Sequence, residues 1–220
     1  MNERSFMLLP PMETTSPPPT LDRRTQILNA AIACFARCGF HQTSMHDISR
    51  EAGISVGLIY RYFANKEAVI SAMADRHKKQ IDDLLQQAMA APTLLESLEI
   101  IFTAHCCETS PHIQSAFVVD LYAESSRNPH IAHLVRDLLH LTLAGVADLI
   151  ARAPERHAAA HDLKPRDLAE LIFAVARGML MLDVLQPSEM TPAERRTRQL
   201  EVTRSLWHVL FSGSAEASPV

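Results

Sequence analysis

Apolar side chains recur at three- and four-residue spacing through most of the chain, and strand-like alternation is rare. The period predicts a first helix from Arg24 to Phe35 with a stop at Gly39-Phe40. A second helix, capped by Ser44, ends at Gly53, and Ser55 caps a third over Val56 to Phe63. Asn65 starts a long helix from Lys66 to about Ala91, closed by Pro92. Further helices are predicted over Thr93 to Glu108, from Pro111 to about Ser126, and from the Asn128-Pro129 cap to about Arg152. Residues 153–165 read as a loop and Pro165 to Leu185 as a helix. Thr191-Pro192-Ala193-Glu194 is a capping box that opens a last helix to about Phe211. The expected fold class is all-α.

The stretch Thr43 to Glu67 is the most informative. Ser44 with Asp47 three residues on makes a capping-box-like start, and Met45, Ile48, Ser49 and Ala52 keep the helical period. A helix as short as Val56 to Phe63 is marginal alone, so Ile59 and Phe63 must pin it to its neighbours. Val56, Gly57, Leu58, Tyr60, Arg61 and Tyr62 are left for the outer face and the ends. Arg61 has the donor geometry for a guanine edge, Val56 and Leu58 suit thymine methyls, and the phenols of Tyr60 and Tyr62 reach phosphates. Gly57, costly in a helix, suits a surface that another backbone approaches closely. The amides that follow Asn65, with Lys66, form a further phosphate site.

Charge separates this reading from that of a plain helical hairpin. Residues 21–80 carry a net +4, whereas the whole chain carries −4 and residues 81–220 carry −7. An acidic chain with a basic first domain reads as a DNA reader joined to something else.

The run Thr43 to Val69 (ThrSerMetHisAspIleSerArgGluAlaGlyIleSerValGlyLeuIleTyrArgTyrPheAlaAsnLysGluAlaVal) resembles the N-terminal DNA-binding domain of TetR-family (TetR/AcrR-type) regulators. The similarity covers about residues 21–75, and its most specific part is Gly57, Tyr60, Tyr62, Phe63, Lys66 and Glu67. The resemblance implies phosphate contacts from Thr43, Tyr62 and Lys66, and base contacts from the helix Ser55 to Arg61. Together with Ser44, these complete the DNA-binding set. Val56 stands where such proteins are often polar or basic, so the operator sequence is not read from it.

The expected organisation is a disordered, proline-rich arm (1–20), a helix-turn-helix DNA-binding domain (21–80), a helical effector-binding and dimerisation domain (81–212) and a flexible tail (213–220). On the helix Pro165 to Leu185, Leu168, Leu171, Ile172, Val175, Met179 and Leu182 form a stripe, and further apolar residues cover most of the rest. Either it is an internal core helix or a second subunit covers it. Leu206, Trp207, Val209, Leu210 and Phe211 of the last helix join it in the second reading, a two-fold four-helix interface over about 165–185 and 191–211. The resemblance implies the same homodimer. A dimer also suits a pseudo-palindromic operator in double-stranded DNA.

Asp120, Glu124 and Asp183 lie among apolar neighbours. In one reading they line a cavity walled by Phe117, Leu121, Tyr122 and Met179 and attract a cationic, lipophilic effector. In the other they pair with Arg127, Arg136 or Arg177, or face solvent. The expected function is a ligand-released repressor, with a multidrug efflux pump as first candidate target and a metabolic pathway as second. A helical interaction module acting through protein partners is the alternative.

No Gly-rich phosphate loop, GxSxG or HExxH is present, so an enzyme is not expected, and no cofactor is. His105-Cys106-Cys107 with His112 has no zinc spacing, and the pairs Cys34/Cys38 and Cys106/Cys107 do not suit an unstrained disulfide. The scattered histidines include two weak candidate pairs, His130 with His133 and His133 with Asp137. No apolar run approaches the roughly 18 residues of a membrane span, so the expected location is cytoplasmic.

Overall fold

A computed structural model describes residues 22–106, 111–153, 163–185 and 190–211, with the side chains of residues 105, 106, 111–116, 183 and 192 left aside. The proline-rich arm, the tail, Cys107 and the side chains of Cys106, His112 and Asp183 therefore lie outside the described residues. Among the described residues there are nine helices and no strand. They are α1 (Arg23–Gln42), α2 (Met45–Ala52), α3 (Val56–Tyr62), α4 (Lys66–Met89), α5 (Leu94–Cys106), α6 (Pro111–Ser125), α7 (Pro129–Arg152), α8 (Pro165–Leu185) and α9 (Pro192–Phe211).

Local side-chain chemistry sets most of the ends. Ser44 and Asp47 form a full capping box: each side chain accepts the other's backbone N–H, at 3.1 Å and 3.0 Å. Ser55 Oγ accepts the Leu58 amide, and Asn65 Oδ1 accepts the Ala68 amide at 2.8 Å. Asn128 and Thr191 cap α7 and α9 in the same way. Gly53 ends α2 at φ 65°, and Gly39 breaks the regular path of α1 at φ 76°, both in the left-handed region that disfavours a Cβ.

Two hydrophobic cores follow. The first joins α1 to α4 around Ile27, Phe35, Ile48, Ile59, Phe63 and Val69, with Phe117 of α6 and Ile131 of α7 packed on it. The second joins α5, α7, α8 and α9 around Leu98, Val146, Ile150, Leu168 and Trp207. Trp207 is 2% exposed and Phe211 is 7% exposed, both within this subunit's own core. That corrects their expected place in an intersubunit surface: they share a core with residues of α5, α7 and α8.

The outward face of α8 keeps Leu171, Leu182 and Leu185 exposed, with Gly178 on the same side and nothing within 4 Å of the Cβ it lacks. On α9, Val202 and Val209 are exposed in line. These positions recur at helical spacing, so each of the two helices presents an exposed apolar stripe. No described helix is long and apolar enough to cross a membrane.

Candidate nucleic-acid interface and effector cavity

Ile59 is the one fully buried residue within α3, and Phe63 follows it into the same core. The other face is open: Val56, Tyr60 and Tyr62 are exposed, as are Gly57 and Arg61, and Leu58 is half-buried. Nothing lies within 4 Å of a Cβ built on Gly57, so its surface is clear for close approach. The Ser44 hydroxyl, though exposed, is held by Asp47 at 2.6 Å. The same hydrogen bonds hold the Asp47 carboxyl below its ordinary value. Acid that protonates Asp47 therefore removes a contribution to the α2 cap that is present at neutral pH.

Two side chains expected at phosphate have other work. Thr43 is 2% exposed, and its hydroxyl donates to the Gly39 carbonyl (2.8 Å), with the Cys34 carbonyl 3.2 Å away sharing the same hydrogen. The Lys66 ammonium donates to the carbonyls of Phe40 and of Thr43 (3.0 Å), and lies 4.2 Å from the Phe40 ring centre. Burial pushes this ammonium below the ordinary lysine value, and Glu124 and Glu67 oppose the shift. Lys66 satisfies carbonyls left open where α1 breaks, which its sequence position between a cap and a glutamate did not signal.

The same break is gripped from the ligand side. Asp120 Oδ2 of α6 accepts the Phe40 amide at 2.8 Å, and Glu124 Oε2 lies 2.6 Å from His41 Nε2. Glu124 is 3% exposed. Both acids were expected on a cavity wall, paired with arginine or facing solvent; here their partners are the Phe40 amide and the His41 ring. They join α6 to the last turn of α1, which is roughly 80 residues away in sequence.

The cavity itself lies between the two cores, with a volume of about 600 Å³, within the usual range for small-molecule sites. Phe117, Leu121, Tyr122 and Met179 are on its wall, together with the single tryptophan, Trp207. Asp120 and Glu124 are not on it. Asp183 cannot be placed, because its side chain lies outside the described residues. The lining carries Arg177, four residues beyond Phe173, which sequence reasoning considered only as a partner for the acids. Its guanidinium sits 4.7 Å from the Phe173 ring centre and 5.9 Å from that of Tyr122. Among the described residues no group of three or more His, Cys, Asp or Glu could hold a metal ion, and Cys34 and Cys38 are free thiols.

A basic helix-turn-helix with an open reading face, next to a helical domain around an apolar cavity, is an arrangement that known proteins share. The family model for bacterial regulatory proteins of the tetR family matches residues 27–73. The HTH-type transcriptional regulator UidR of Escherichia coli is 31% identical over 165 residues, covering 71% of this chain and 79% of UidR.

The chain belongs to the TetR family of transcriptional regulators.

The nicotine-responsive repressor HdnoR of Paenarthrobacter nicotinovorans is 25% identical over 181 residues, 77% of this chain and 88% of that relative. The solved structure of Salmonella enterica GusR superposes with a TM-score of 0.68 at 26% identity, covering 88% of this chain and 97% of that one. TetR-family regulators bind DNA as dimers, respond to small-molecule effectors and are not enzymes. The helix-turn-helix thus belongs to a protein of that kind, and most of the cavity lining comes from the helical part that follows it, the part that binds ligand in TetR-family neighbours.

Proposed function

We propose that this TetR-family regulator is a repressor that holds a pseudo-palindromic operator as a homodimer and lets go when a small molecule fills the cavity between its two cores. The open face of α3 carries the DNA half of the reading. Arg61, Val56 and Leu58 are assigned to base edges, and Tyr60 and Tyr62 to phosphate, with Gly57 giving clearance. Ser44 and Ser55 lie at the two helix starts that face the duplex, and Thr43 and Lys66 hold the turn that aims them. The exposed stripe of α8 and α9 is assigned to the subunit interface. The kinship with a nicotine-responsive repressor supports the ligand-released sense of regulation. A shift assay on the promoter beside the protein's own gene tests this. A specific complex that weakens steeply with salt is expected, and its absence at low salt would refute the reading.

For transmission, α6 is the assigned carrier alongside α4. Phe117 stands in the cavity wall and also stacks on Phe35 of α1, with ring centres 6.2 Å apart. Asp120 and Glu124, on the same helix, hold Phe40 and His41. A ligand that displaces α6 therefore moves the segment that feeds α2 and α3, and by linkage its effect equals its differential affinity for the two arrangements. Asp120→Ala should raise hydrogen exchange at the Phe40 amide about tenfold or more, because a hydrogen bond to a charged acceptor is lost. Unchanged exchange would remove Asp120 from the mechanism. The efflux-pump target rested on a cationic effector drawn by three acids, of which Asp120 and Glu124 are not on the wall and the Asp183 side chain lies outside the described residues.

A further inference from the structure

We infer that the effector is a lipophilic anion and that Arg177 is the residue that binds its charged group. This rests on the cavity being the effector site. The described lining is apolar on most of its wall, so its few charges decide what enters. One carboxylate, Asp83, belongs to it, and that residue is exposed. The cations are Arg76, Arg177 and, when protonated, His77. Arg76 already donates to Asn29 Oδ1 at 2.9 Å, and His77 has partners of its own. Arg177 is different. It is half-buried on α8, and among the described residues its contacts are the faces of Phe173 and Tyr122, with no carboxylate or hydrogen-bond acceptor.

Aromatic faces meet the flat face of a guanidinium and leave the N–H donors around its edge unfilled. A planar fork of donors on a mostly apolar wall is matched by the paired oxygens of a carboxylate, sulfonate or phosphate. A cationic guest of the same shape would bring a second positive charge beside Arg177 with no acid on the described wall nearby except exposed Asp83. The apolar remainder of the lining, including Leu139, Leu143, Ala176 and Leu180, fits a hydrocarbon or aromatic body. The related regulators do not decide the sign of the charge, because what each responds to is its own.

The test uses two fluorescent probes with one aromatic body, anilinonaphthalene sulfonate and the uncharged N-phenylnaphthylamine, on the full-length protein. Trp207 is the only tryptophan and stands in the cavity wall, so quenching of its emission reports occupation of this site. The sulfonate should bind about tenfold more tightly than the neutral probe or better. Arg177→Gln should abolish that preference while leaving affinity for the neutral probe unchanged, and Arg177→Lys should restore part of it. Equal loss of both probes in Arg177→Gln, or a sulfonate preference that survives it, would overturn the assignment to Arg177. Binding of the neutral probe alone by the wild-type protein would overturn the anionic class and keep the cavity. If neither probe quenches Trp207, the effector-site reading fails with it.

Discussion

Leu182→Glu should turn the protein into a monomer and remove operator binding while leaving the subunit folded. Leu182 is 55% exposed and lies between Gly178 and Leu185 on the outer face of α8. Its side chain makes little of the subunit's own core, so the fold should not notice the change, and thermal unfolding of the dilute protein should barely move. In a two-fold interface the substitution is made twice, and each glutamate is buried against an apolar surface. An unpaired buried charge costs about 3–5 kcal/mol, which translates to a dimer dissociation constant raised roughly a thousand-fold or more. Sedimentation at micromolar concentration reads the state directly. Specific operator binding should vanish in parallel, because one half-site offers too few phosphate contacts at physiological salt. Met89→Glu, at an exposed apolar position on α4, is the matched control and should remain dimeric. A Leu182→Glu protein that still sediments as a dimer would move the interface off this stripe.

Ile59→Ala carries the second large effect. The side chain is 0% exposed and is the only one within α3 that is buried, although Phe63 at its C-terminal end shares the core. Truncating a buried isoleucine to alanine costs about 2–5 kcal/mol. That loss falls on a helix of 7 residues, which has no stability of its own to absorb it. Local opening of α3 then competes with operator binding, so affinity should drop by roughly 30-fold or more. Hydrogen exchange should accelerate over Ser55 to Phe63, while the core around Trp207 keeps its protection. An operator affinity within threefold of wild type would mean that α3 is held by something other than Ile59.

The elements of the fold were legible where their cause is local. Ser44 with Asp47, Ser55, Asn65, Asn128 and Thr191 each cap the helix that follows them, since a short polar side chain meets an amide two or three residues away. Helix ends differed from expectation by a residue or two at most sites, as fraying ends do. What failed was the assignment of long-range partners. A helical wheel placed Asp120 and Glu124 beside Phe117 but could not say that the turn at Phe40 and His41 would lie opposite them. The apolar end of the last helix was expected in an intersubunit surface, whereas Trp207 and Phe211 lie in this subunit's own core with residues of α5, α7 and α8. Thr43 and Lys66 sit at positions whose resemblance implied phosphate, yet the backbone break at Gly39 leaves carbonyls that claim both side chains. Arg177 was noticed only as a possible counterion, because nothing local shows that a residue four positions after Phe173 ends on a cavity wall.

The residues of α6 fall into two interleaved sets. Phe117 and Leu121 meet the cavity and also pack on the first core, while Asp120 and Glu124, three residues after each, hold Phe40 and His41. What lines the cavity and what holds the DNA-binding unit are therefore neighbours on one face of one short helix. A change at Phe117 made to admit a different compound would also alter its stacking on Phe35, so the shape of the cavity and the seating of the DNA-binding unit are set together at that position.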